Sequence, residues 1–483
     1  MLTDLYELTM AYAYWKSGTA GTEAVFHMSF RNAPFGSGFT VACGLGAVID
    51  QVRRFQFHES DLAYLRTINA VDGRPLFDKG FLQFLEGLRF TGHIDAVPEG
   101  TVVFPQEPLL RVQGCLLQAQ ILESALLNAV NFQSLIATKA ARICLAAEGE
   151  PVVEFGLRRA QGPDGALTAS RAAYLGGCAG TSNVLAGQVY GIPVSGTHAH
   201  SWVMAFESEL EAFKTYAEAL PNNCILLVDT YDSLAGVAHA IEVGKLLRER
   251  GNDLAGIRLD SGDLAYLSIE ARKLLDAAGF RDTAIYASND LDEHIISSLK
   301  QQGARITRWG VGTKLVTSYD QPALGGVYKL SAVMGPGGSW QPRIKLSDQA
   351  AKITNPGVPQ VRRFRSPKQF IADAIYDQGH PAPKRFTIVD PLDPTRRKHV
   401  PPETSFEDLL VPIFRSGKLV YRQPSLEESR QRVTHQLAML HPGIKRFVNP
   451  HQYVAGLELG LHELKTKLVL RARDELEKRK GAA

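Results

Sequence analysis

The chain has 483 residues, too many for one compact core, so two or three domains are expected. Hydrophobic residues at 45% and charged residues at 21% are ordinary for a globular protein, and a net charge of +3, from 53 basic and 50 acidic residues, argues against a general nucleic-acid binder. Five scattered cysteines with no C-x-x-C pair, no basic-then-apolar leader in "MLTDLYELTM" and no apolar run near the roughly 18 residues of a membrane span predict a cytoplasmic protein away from the membrane.

Residues 1–112 mix strand and helix patterns and predict an N-terminal α/β domain. "EAVFHMSFR" and "GTVVFPQEPLLRVQG" read as strands, the second broken by prolines, while "DLAYLRTI" and "KGFLQFLEGL" read as short helices. A long, largely apolar helical pattern follows in "LLQAQILESALLNAVNFQSLIATKAARICLAAEG", with a break expected near Asn131. Residues 113–330 form the second expected domain. From residue 150 onward "EPVVEFGLRRA", "YGIPVSGTHAH", "NCILLVDTYDS", "LAGIRLDSGD", "DTAIYASND" and "ARITRWGVGT" read as short apolar strands, most of them separated by helices. That alternation predicts a parallel α/β sheet or barrel. Residues 331–425 are Gly/Pro-rich and strand-like, an excursion expected to rejoin the first domain in part. Residues 426–483 predict a helical C-terminal extension, whose basic end reads as a solvated helix with i,i+4 charge pairs.

Asp229, Asp260 and Asp290 follow three successive strands at intervals of 31 and 30 residues. In a (β/α) barrel the C-terminal strand ends converge on the active site, so three carboxylates in register point to one polar or cationic ligand. The competing reading is that each aspartate caps the next helix. His198 and His200 make an H-x-H pair, as in a metal-dependent barrel hydrolase. Such a site also needs histidines at later strand ends, and "VDT", "LDS" and "SND" supply none. Aspartates without histidines suit Mg²⁺ or ligand hydroxyls better.

Anion signals complete the rim. "RWGVGTK" supplies Gly310, Gly312, Thr313 and Lys314 after an apolar strand, where backbone N–H groups meet a phosphate. "LGGCAGTSNVLAG", which contains Ser182, is a second such loop or simply a capped helix start. "EFGLRRAQG" adds Phe155, Arg158 and Arg159, an aromatic beside guanidiniums, and Arg258 alternates with Asp260 on one strand face. This inventory describes a site for a phosphorylated sugar and an aromatic acid.

"TDLYELTMAYAYW", "EFGLRRAQGPDG", "TSNVLAG", "GTHAHSWV", "VDTYD", "RLDSGD", "ASNDLDE" and "WGVGTKL" occur in that order over residues 3–316, and "IKLSDQAAKITNPG" extends the pattern. Together they resemble the nicotinate phosphoribosyltransferase family. The resemblance implies an irregular, incomplete (β/α) barrel with an N-terminal α/β domain, in a homodimer. It implies nicotinate, phosphoribosyl pyrophosphate and ATP as substrates, Mg²⁺ as cofactor, and a phosphohistidine at His200. Tyr6 is expected to reach across the dimer to stack on the pyridine ring opposite Phe155. Arg158 and Arg258 match groups that hold the substrate acid and phosphate, and Asp260 a catalytic carboxylate near the ribose and Mg²⁺. Asp229, Asn289 and Asp290 are placed with the substrate, Gly310, Gly312 and Thr313 with its phosphates. Nicotinamide-using relatives carry aspartate where this chain has Ser182; a carboxylate there would repel nicotinate. A non-catalytic relative kept as a scaffold would not need Tyr6, Phe155, His200, Arg258 and Asp260 together.

Overall fold

The computed structural model describes residues 2–481; residue 1 and residues 482–483 of the expected terminal segments lie outside the described residues. The chain divides into two compact units, residues 1–135 with 323–483, and residues 136–322. The first boundary falls within helix Glu123–Ala146, later than the expected position at 112. This helix runs without a break at Asn131; the interruption comes at Leu122, after helix Leu116–Ile121.

The first unit holds a seven-stranded antiparallel sheet in which Glu23–Phe30 lies between Gly326–Met334 and Leu110–Cys115. The strand-rich residues after 325 thus supply a direct neighbour to an N-terminal strand. A six-stranded sheet takes in Pro359–Arg365, Phe370–Asp377 and Ala455–Glu458. This last strand separates helices Leu426–Ala438 and Leu459–Gly481, so the C-terminal segment is not wholly helical as expected.

The second unit carries a parallel sheet in the order Gly180–Thr181, Val152–Glu154, Arg308–Val311, Ala284–Ala287, Gly256–Leu259, Ile225–Leu227. Val152, Leu226, Ile257, Ile285 and Val311 are buried, as expected where helices cover a parallel sheet. "YGIPVSGTHAH" departs from expectation. Pro193 has no N–H to donate, and the segment makes only one bridge, Thr181 with Val194.

The helices that follow strands Ile225–Leu227, Gly256–Leu259 and Ala284–Ala287 each begin at a capping aspartate. Asp232 accepts the Ala235 N–H at 2.8 Å, Asp263 that of Tyr266 at 3.0 Å, and Asp292 those of His294 and Ile295 at 3.0 and 2.8 Å. Asp229, Asp260 and Asp290 precede these caps and are left for other work.

Beyond the third cap, fully buried Glu293 accepts from Arg142 Nε at 2.7 Å and lies 2.8 Å from Lys139 Nζ. Glu293→Ala is expected to lower stability by about 3–5 kcal/mol, because two buried cations lose a shared carboxylate, although Asp320 still lies 2.5 Å from Lys139 Nζ. The shift of the urea unfolding midpoint measures it.

Candidate active site

Five of the six parallel strands end at one cavity of about 590 Å³. Phe155 follows the strand Val152–Glu154. Its N–H donates to the Val311 carbonyl at 2.8 Å, and its ring rests on Gly310, where a Cβ would come within 2.6 Å of the ring. Any side chain at 310 would therefore displace the aromatic. Gly310, Gly312 and Thr313 form the adjoining wall, and Arg158, Ser182 and Asp290 line the same space. Asn289 also lines it, with φ of 132°, a backbone region usually left to glycine. Its Oδ1 accepts the Asp290 N–H at 2.8 Å, which helps hold that turn.

The polar centre is a chain of oriented groups. Asp229 Oδ2 accepts the Asp260 N–H and the Ser261 hydroxyl, both at 2.8 Å, while its Oδ1 is buried with no hydrogen-bond partner. Asp260 Oδ1 accepts the Ser288 hydroxyl, and Oδ2 lies 3.8 Å from His200 Nε2. The other ring nitrogen of His200 is 3.2 Å from Thr230 Oγ1, so the imidazole is strung between a hydroxyl and a carboxylate. Arg258 donates through Nη2 to the His198 carbonyl at 3.1 Å, and its Nε is buried and unpaired. Burial pulls its guanidinium below the ordinary range, while Asp260 and Asp229 pull it back up.

The two histidines of the H-x-H pair have separate environments. His198 Nε2 accepts the Leu227 N–H at 3.1 Å, which places the ring proton on Nδ1, beside the Ala199 carbonyl at 3.3 Å. Its ring packs edge-on against Tyr216 at 4.8 Å. With its one lone pair already accepting a hydrogen bond, His198 is no metal ligand, which removes the hydrolase alternative. Among the described residues no three His, Cys, Asp or Glu side chains converge as a metal cluster. Mg²⁺ does not require one: it is commonly held by one or two carboxylates with water and substrate oxygens. The unpaired Asp229 Oδ1 and the Asp260 carboxylate are hard oxygen donors that fit it.

Family models for the nicotinate phosphoribosyltransferase N-terminal domain, family and C-terminal domain match residues 1–131, 151–353 and 360–465. Nicotinate phosphoribosyltransferase of Bacillus subtilis is 44% identical over 96% of this chain and 96% of its own length, and the Homo sapiens protein of that name is 36% identical over 97% and 96%. The crystal structure of human nicotinic acid phosphoribosyltransferase superposes with a TM-score of 0.85 at 34% identity, over 97% of this chain and 100% of that one. The chain belongs to the nicotinate phosphoribosyltransferase family.

Its fold is accordingly the mixed α/β fold of that human family member. Of the residues expected at a nicotinate phosphoribosyltransferase site, eleven line the cavity: Phe155, Arg158, Ser182, His200, Arg258, Asp260, Asn289, Asp290, Gly310, Gly312 and Thr313. Asp229 acts one layer behind, orienting Asp260. Tyr6 belongs to the first unit, on helix Leu5–Lys16, and is 46% exposed. Lys314 is drawn into an ion pair with Asp292 at 2.7 Å. Sequence reasoning passed over Thr230 and Ser288, the hydroxyl partners of His200 and Asp260, although both adjoin strand-end motifs. It also passed over Glu154, a charge closing the apolar run "VVE".

Burial lowers the His198 pKa to about 4. A histidine held neutral in the fold but free to protonate when unfolded stabilises fully above the ordinary pKa near 6.5. That contribution is lost as pH falls toward about 4. His198→Gln is expected to flatten the fall in unfolding midpoint between these pH values, measured against the parent protein.

Proposed function

We propose that the protein joins nicotinate to phosphoribosyl pyrophosphate, releasing nicotinate mononucleotide and pyrophosphate, and couples this to ATP hydrolysis through a phosphohistidine at His200. One observation carries the reading: in a member of this family, an aromatic floor, a half-buried arginine, a His–Asp pair and a glycine-rich anion wall face one cavity. The parallel sheet would form the wall of an irregular, incomplete (β/α) barrel.

In this reading the pyridine ring lies on Phe155, and its carboxylate is met by Arg158 with Ser182 opposite. Backbone N–H groups around Gly310, Gly312 and Thr313 hold phosphate, with Arg258 as the nearby cation. The ring nitrogen bonds to the anomeric carbon as the bond to pyrophosphate breaks, and the bonding pair leaves with pyrophosphate. Positive charge grows on the ribose, and the carboxylate of Asp260 stabilises it from a position set by Asp229 and Ser288. Mg²⁺, held by Asp260 with Asp229 behind it, would neutralise leaving-group charge. His200 receives the γ-phosphoryl group of ATP and passes it to water. That cycle drives synthesis through a difference in substrate affinity between the two histidine states. A homodimer would bring Tyr6 of one copy to the pyridine ring in the other. A cytoplasmic location fits five cysteines outside any disulfide, and no described helix is long and apolar enough to cross a membrane.

Pyrophosphate release tests the reading. With Mg²⁺, ATP and phosphoribosyl pyrophosphate present, nicotinate is expected to support turnover and nicotinamide at least about tenfold less, since an amide cannot form the charged pair with Arg158. Equal rates would overturn the acid preference, and no release with either would overturn the function.

A further inference from the structure

The end of the strand Val152–Glu154 carries a carboxylate with no part in the chemistry above. Glu154 is fully buried, yet among the described residues neither of its oxygens meets a cation. One oxygen accepts the Gly156 N–H. The other accepts the Ser170 hydroxyl at 2.8 Å and the Thr181 hydroxyl at 2.6 Å. Thr181 Oγ1 in turn accepts the Asn183 N–H at 3.0 Å, and the Glu154 carbonyl accepts the Ser182 N–H at 2.8 Å. Phe155 stands between Glu154 and Gly156, and Ser182 between Thr181 and Asn183. One side chain therefore fastens the residues that flank both the aromatic floor and the serine wall.

Burying a carboxylate without a cation is costly, and a Gln or Thr would satisfy fewer of these donors at lower penalty. Its placement makes sense as a clamp on two loops from neighbouring strands. We infer that Glu154 is a positioning residue that sets the spacing between Phe155 and Ser182, and so governs affinity for the pyridine acid far more than affinity at the phosphate end of the site. The inference rests on the proposed function for its ligand but not for its geometry. The phosphate wall begins at the end of the neighbouring strand Arg308–Val311 and runs into the helix that starts at Thr313; it touches the ring of Phe155, but among the described residues no hydrogen bond from it ends on the Glu154 carboxylate.

The test compares Glu154→Ala and Glu154→Gln with the parent protein. In Glu154→Ala the KM for nicotinate is expected to rise at least about tenfold, with the KM for phosphoribosyl pyrophosphate and kcat at saturation kept within about threefold. Glu154→Gln is expected to recover most of the loss. Its amide oxygen takes the Gly156 N–H and its NH₂ donates to Thr181, while the Ser170 hydroxyl turns to the Ala166 carbonyl it already approaches at 3.0 Å. Should Glu154→Ala not fold, Thr181→Val removes one clamp donor at nearly constant volume and is expected to show the same KM split, smaller by a few-fold. KM values that rise together, or a Gln variant as impaired as the Ala variant, would overturn the inference.

Amide hydrogen exchange gives a reading independent of the substrate. Loops 155–160 and 181–184 are expected to exchange faster together in Glu154→Ala, or in Thr181→Val, and to return toward parent rates in Glu154→Gln. Acceleration of one loop alone would sink the clamp. If the parent protein turns over no nicotinate while exchange behaves as expected, the proposed function fails and the clamp stands.

Discussion

His200→Ala is expected to take up no phosphate from ATP labelled on its γ-position, whereas the parent protein acquires acid-labile, base-stable label. The imidazole opens helix His200–Met204, with Nδ1 3.2 Å from Thr230 and Nε2 3.8 Å from Asp260. Its side chain is 40% exposed, so a nucleotide can reach it. In the proposed cycle the coupling free energy depends on this histidine, so in the variant ATP should no longer improve use of limiting phosphoribosyl pyrophosphate. A coupling of ordinary size makes this a loss of about 10- to 100-fold. Label persisting in the variant would assign the phosphoryl carrier to another residue. His198→Gln should remain labelled, since that ring is occupied by the Leu227 N–H.

Asp260→Asn carries the larger expected effect, a fall in kcat of about 10²–10³ with little change in either KM. The amide keeps the volume and can still accept from Ser288, so the variant tests charge rather than packing. In the proposed reaction, neutralising this position would remove the carboxylate from the developing positive charge on the ribose and from the expected Mg²⁺. Raising Mg²⁺ should not restore the rate fully, because the electrostatic part of the loss is independent of the metal. A KM effect with unchanged kcat would instead make Asp260 a binding group.

The aspartates illustrate how much of the site was legible in the sequence. Competition between capping and chemistry is settled by division within each loop. In "DTYD" and "DSGD" the first carboxylate serves the rim network and the second caps the helix; in "NDLD" Asp290 lines the cavity and Asp292 caps. A capped helix start and a free carboxylate two or three residues earlier can be read together, because the cap position is marked by the helical pattern that follows it. The parallel sheet was legible for the same reason, from apolar runs such as "CILLV" that end in polar loops.

Other features depend on chain-distant neighbours and left no local mark. The tautomer of His198 is set by the Leu227 N–H, and the bridge at Val194 is set by Thr181. Gly310 was read as room for phosphate, yet the ring of Phe155 needs that space as well, from a strand more than 150 residues earlier. Strand Ala455–Glu458 was hidden because it is short and lies between two strong helical patterns.

The seating of Phe155 on bare backbone restricts how the site can be redesigned. The floor cannot be lowered at Gly310, because that residue meets the ring with main chain and has no side chain left to trim. Libraries seeking to admit bulkier pyridine acids should leave 155 and 310 fixed and vary Ser182, the wall whose neighbours are tied by side-chain hydrogen bonds.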